Sequence, residues 1–407
     1  MLEDEQTGQV DKPSHTLVSD RLESVASPQE THSRVRSSIS RRITRPALAM
    51  AYRRDSEGYY IHPVLSPSHP RSRAGSDLVS GPPPEMTGAT RELGLLTSRS
   101  LVEDPFYRRR NLPLNGIHYR EPYETMPSHI EVLISYVRRD RDSPRPSLDE
   151  LKRDKELQSL PSGAIESDIE QYFRTHVFPY PTKLELLQRS DRVPMIRQTI
   201  PNKVSNANLR VSNPVPDILY GYNSSMVLTG QQASEMDGPA NHAGLVYPFF
   251  LVELEADGPS GCGSLWVATN QCLGASASCV NLAEALNRQL RHYDKVPQME
   301  NAVFSVAMSG SEARLYITWG DGEDYFMQQV DCFLLQQPQQ YLDFRNYVRN
   351  IIDWGREKRL GGVWDCLDIL LDEDRIQMRR ASEPMRARPP PSDTTVNDSA
   401  VCTKRRK

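Results

Sequence analysis

Residues 246–270 read VYPFFLVELEADGPSGCGSLWVATN. Val246 to Val252 form a continuous apolar run, which reads as a strand covered on both faces. Glu253 and Glu255 follow at alternate positions, so they share one face of the strand's end. Two carboxylates at the rim of an apolar sheet lose hydration and repel each other, and a divalent cation offsets both costs. A glycine-rich turn over 257–263 then leads to a long helix, 265–293, where Val280, Ala283, Leu286 and Leu290 keep helical spacing. Alanine and serine crowd its first half. Such small residues let a helix lie close to a sheet, and the helix is expected to cross over the central strands.

Working upstream, VPDILYGY at 215–222 reads as a second strand, entered through Pro216-Asp217, with a polar loop over 231–244 between the two. A helix over about 163–178 carries Ile165, Ile169, Phe173 and Val177 as one apolar stripe, with Glu166 and Glu170 beside it. Pro179 and Pro181 end it. Ser147-Leu148-Asp149-Glu150 is a capping-box signature for a helix running to about residue 160. The segments 130–137 and 183–212 show no deciding period. Downstream, 302–308, 313–319 and 325–334 read as strands, the first two joined by a tight SGSE turn. A helix over 338–357 follows, stopped by Gly361-Gly362, and then a short helix over 363–371. The order gives an α/β (α+β) fold with a mixed central sheet flanked by helices.

The chain has 407 residues, of which only 38% are hydrophobic and 31 are proline. Part of it therefore lacks the apolar content for a core. The expected organisation is a Pro/Ser/Arg-rich disordered region over 1–110, a folded domain over 125–375 (core 160–335, C-terminal helices 338–372) and a basic disordered tail over 379–407. No apolar run approaches the ~18 residues that span a bilayer, so the expectation is an intracellular protein without membrane partners. The cluster Thr403-Lys404-Arg405-Arg406-Lys407 fits a nuclear address. None of the six cysteines forms a CxxC pair, which argues against a structural zinc site. Over 160–335 there are 11 Lys and Arg against 19 Asp and Glu, an acidic body that argues against tight non-specific nucleic-acid binding by that region alone.

Asp217 opens one strand and Glu253 ends another, 36 residues later. If the strands are neighbours, Asp217, Glu253 and Glu255 converge at one sheet edge. Oxygen ligands of that kind suit Mg²⁺, which can activate water against a phosphoryl group. Spacing alone is a weak signal, and on it a Pro-Asp turn and a charged strand end facing water is the simpler reading. No GKS or GKT follows the glycines of DGPSGCGS, which excludes a P-loop.

PDILYGY, YPFFLVELEADG and GSLWVATNQCLGASASCVNLAEALN together resemble an uncharacterised family of fungal proteins with a PD-(D/E)XK nuclease-like domain, over roughly residues 165–319. In that superfamily a helix, three strands, a helix and a further strand hold an Asp, a Glu or Asp, and a Lys. The resemblance implies a Mg²⁺-dependent phosphodiesterase acting on DNA or RNA, with Mn²⁺ able to substitute and no organic cofactor. Asp217 and Glu253 would then be metal ligands, and Glu255 takes the place of the lysine. A carboxylate cannot supply that positive charge, though it can bind metal or accept a proton. Glu166 or Glu170 resembles an accessory acidic ligand, against a simple exposed helix glutamate. Asn270 and Gln271 resemble site-facing polar residues, against a capping role at the helix start. The rival reading is a catalytically silent nuclease fold serving as an interaction or nucleic-acid-binding scaffold.

Overall fold

The ten residues of the central strand are all buried, as an unbroken apolar run requires. The computed structural model describes residues 98–142, 145–182, 185–234, 236, 238–256, 264–293 and 297–382. The turn at 257–263, the basic cluster at 403–407 and most of the two terminal regions read as disordered lie outside these residues. The strands are β1 (Ile117–Arg120), β2 (Leu187–Ser190), β3 (Ile218–Asn223), β4 (Leu245–Leu254), β5 (Val303–Met308), β6 (Glu312–Asp321) and β7 (Asp324–Leu334). They form one seven-stranded sheet in the order β1-β7-β6-β5-β4-β3-β2. β1 pairs with β7 and β4 with β5 in parallel, and the other neighbours are antiparallel. The sheet is therefore mixed.

The principal helices are α1 (Ser128–Val137), α2 (Glu166–His176), α3 (Leu265–Leu290), α4 (Pro338–Trp354) and α5 (Leu360–Ser382). Alternation along β4 divides the interior in two. Phe250 and Val252 join a large cluster with Phe173, Phe344 and Ile351. Leu251 joins a second cluster with Leu273, Ala277 and Ala307. The fully buried Ala275, Ser276, Ala277 and Ser278 of α3 let that helix lie against β4, β5 and β6.

Several local expectations change. The helix expected from Ser147 to about residue 160 keeps its capping box but breaks at Asp154, whose carboxylate accepts from Leu157 N at 3.0 Å and starts a second short helix. Ile165 is 56% exposed, because it precedes α2 rather than joining its buried stripe. The loop expected over 231–244 includes the end of a short helix, Gly230–Ser234. Gly361-Gly362 does not stop the C-terminal helix. Both lie in the first turn of α5, which continues through Ser382 because Val363, Leu367 and Leu370 carry its buried face onward. At Gly355, between α4 and α5, an added Cβ would run into the Phe249 ring. The folded body also begins before residue 125: Val102, Tyr107, Leu112 and Ile117 are buried in the second cluster.

Candidate functional site

The antiparallel register of β3 and β4 pairs Ile218 with Val252. One step outward, Asp217 faces Glu253, and this joins two residues far apart in the chain. Asp217 Oδ2 accepts from Leu254 N at 2.8 Å, tying the entry of β3 to the exit of β4. Glu253 lies on the face of Leu251, towards α3. Glu255, just past the strand, stays in line because its N donates to Met308 O of β5 at 2.9 Å. Glu253 and Glu255 are each 2% exposed. Asp217, Glu253 and Glu255 all line one cavity of about 340 Å³.

Burial, and then the neighbouring Asp217 and Glu255 carboxylates, push the Glu253 carboxyl well above the usual carboxylate range. Burial first and Glu253 second push the thiol of Cys272 up as well, so it remains a neutral packing group.

The accessory residues separate. Glu166, Asn270 and Gln271 line the cavity. Glu170 does not, and its carboxylate contacts Arg174 and Arg192 instead. Asn270 and Gln271 are not helix caps, since Ser264 Oγ accepts from Val267 N at the start of α3. Asn270 is fully buried. Its amide nitrogen donates to Val102 O at 2.8 Å and its oxygen accepts from Arg108 Nε at 2.7 Å.

Arg192, Asn213 and Tyr107 also line the cavity and carry no motif in the sequence. Arg192 sits at φ 54°, a left-handed conformation uncommon outside glycine. Its N donates to Pro216 O at 2.9 Å. Its guanidinium donates from Nε to Asp217 Oδ1 at 3.0 Å and from Nη2 to Glu166 Oε1 at 2.7 Å. Its partial burial opposes charge, but Asp217, Glu170 and Glu166 together raise its pKa above the ordinary arginine value. The site thus holds its own cation against two of its carboxylates, Asp217 and Glu166, and against Glu170 beside it.

The donors suit a hard divalent ion: they are oxygens, and the side-chain oxygens of Asn213 and Gln271 are buried without a hydrogen-bond partner. Among the described residues, however, no group of three His, Cys, Asp or Glu stands in ligating geometry. The two lobes of Asp217 are already engaged by Arg192 and Leu254 N. A cation at Asp217 would have to take the place of Arg192.

Residues 155–367, just over half of the chain, match a family described as a domain of unknown function (DUF7924). No curated protein and no solved structure matches the chain. No helix among the described residues is long and apolar enough to cross a membrane.

Proposed function

The chain belongs to the DUF7924 family, and on that premise we propose that the carboxylate cavity is a divalent-cation-dependent phosphodiesterase site on a PD-(D/E)XK-type core, acting on DNA or RNA. The observation that carries this reading is the meeting of Asp217, Glu253 and Glu255 in one cavity beside two unpaired amide oxygens. The order α2, β2, β3, β4, α3, β5 supports it, since the resembled superfamily uses a helix, three strands, a helix and a strand. Asp217 and Glu253 would hold Mg²⁺ or Mn²⁺, with the amide oxygen of Gln271 or Asn213 available as a neutral donor. When bound, such an ion supplies charge neutralisation at the phosphate and a more acidic water. Glu255 would accept a proton from the attacking water. Arg192, released from Asp217, would provide the positive charge that Glu255 cannot.

Purified protein with Mg²⁺ or Mn²⁺ is expected to cleave plasmid DNA or RNA, and Asp217→Ala to abolish cleavage. Equal activity in that variant removes the assignment. A second reading, a silent fold that binds without cleaving, is favoured by the Arg192 ion pairs and the missing lysine. Under it, wild type is inactive, and Glu255→Lys gains metal-dependent cleavage only if chemistry alone has been lost.

A further inference from the structure

A second cavity, of about 440 Å³, is lined by Arg108, Arg109, His118, Tyr119, Trp266 and Glu121, among others. Its chemistry is opposite to that of the carboxylate cavity: two guanidiniums, an imidazole and two aromatic faces against a single carboxylate, Glu121. The Arg108 guanidinium lies 5.2 Å from the ring centre of Tyr119 and 5.4 Å from that of Trp266, so cation and aromatic surfaces form one wall. Arg108 Nη2 also donates to Trp266 O at 3.2 Å, which fixes the arginine on the first turn of α3.

The two cavities share a partition. Tyr107 lines the carboxylate cavity and the next residue, Arg108, lines the basic one. Both belong to the π-helical turn Tyr107–Asn111. On the other side, Asn270 lines the first cavity and Trp266 the second. Four residues apart on α3, they share a helix face and are separated by about 6 Å along the axis. The Arg108–Asn270 hydrogen bond joins the two halves of the partition.

We propose that the Arg108–Trp266 cavity holds the nucleotide next to the scissile phosphate, so that the substrate is a single-stranded or locally unpaired polynucleotide lying across both cavities. The choice of polymer rests on the phosphodiesterase reading. A small phosphodiester would use only the carboxylate cavity and leave the basic one without a role. Guanidinium groups track the phosphate backbone and aromatic faces stack bases without sequence preference, a combination suited to unpaired strands. A paired base offers its face to its neighbours in the stack rather than to protein rings.

The test is fluorescence anisotropy of a labelled oligothymidylate with the full-length protein in EDTA, which removes cleavage from the measurement. Wild type should bind, and should bind the same oligonucleotide less well once it is annealed to its complement. Arg109→Glu, at an exposed position, should weaken binding about tenfold and lower the salt dependence by about one unit of slope. Trp266→Ala should weaken it to a similar degree, and Trp266→Phe, which keeps an aromatic face, should recover most of the loss. Circular dichroism checks that each variant folds. Unchanged binding in both Arg109→Glu and Trp266→Ala, no binding by wild type at low salt, or a preference for duplex overturns the proposal. The two readings fail separately. Cleavage with an unchanged KM in Arg109→Glu sinks the strand path and leaves the active site. Oligonucleotide binding lost in these variants, with cleavage absent from every protein, does the reverse.

Discussion

At the scale of single residues, Glu253 sets the site's electrical state. It is buried beside two other carboxylates, and its carboxyl is held well above the ordinary range by burial first and those neighbours second. Between the ordinary glutamate value, about 4.3, and its own raised value, the folded protein retains a proton that the unfolded chain has released. Stability of the cation-free protein should therefore fall as pH rises through that window. Glu253→Gln removes the titrating group while keeping the shape. In EDTA at about pH 8 the variant should melt higher than wild type, by roughly 2–4 °C for each kcal/mol recovered, and its pH profile should be flatter. A variant melting lower than wild type at that pH contradicts this account. Asp217, Glu253 and Glu255 were legible in the sequence because strand alternation and a Pro-Asp entry have fixed geometric meaning. Arg192 was not: no local pattern announces a left-handed arginine that folds back on the strand after its own.

At the scale of elements, periodicity identified β4, α3 and the β5–β7 meander because each is long enough to repeat its pattern. It failed where tertiary contacts decide. The segment 130–137 becomes α1 because Ile130, Leu133, Ile134 and Val137 give one buried helical face. β2 has only four residues, and two of its buried positions are Arg189 and Ser190, so Leu187 alone gives it no apolar pattern. The glycine pair at 361–362 does not end a helix; the glycine that matters is Gly355. Its carbonyl accepts from Tyr222 Oη at 2.7 Å, and the Phe249 ring lies where a side chain would stand. Gly355→Ala should destabilise by about 1–3 kcal/mol through overpacking, read as a lower denaturant midpoint. Adding Phe249→Leu should return part of the loss. If Gly355→Ala matches wild type, the close approach of α4 to β4 is not a constraint.

At the scale of the whole molecule, the match to the family begins at residue 155, while the sheet takes its outer strand β1 from residues 117–120. Val102, Tyr107, Leu112 and Ile117 are each almost fully buried. At about 1.5–3 kcal/mol for each buried apolar side chain, their removal approaches the whole stability of an ordinary domain, about 5–15 kcal/mol. A chain beginning at residue 125 should therefore be insoluble or lack a cooperative melting transition, and a sharp transition near that of the full chain would refute this. Composition could not reveal that boundary, because the arginines of the YRRRN turn mask the few apolar residues that dock.

The partner of β1 is β7, in parallel, with Ile117 opposite Tyr325. On the ribosome, the earliest strand of the sheet must therefore wait, unzipped, until the latest has left the exit tunnel. Until then β1 has no partner strand, and loop closure over so long a stretch comes late and slowly. The nascent polypeptide thus passes most of its synthesis with this strand unpaired, an edge open to aggregation.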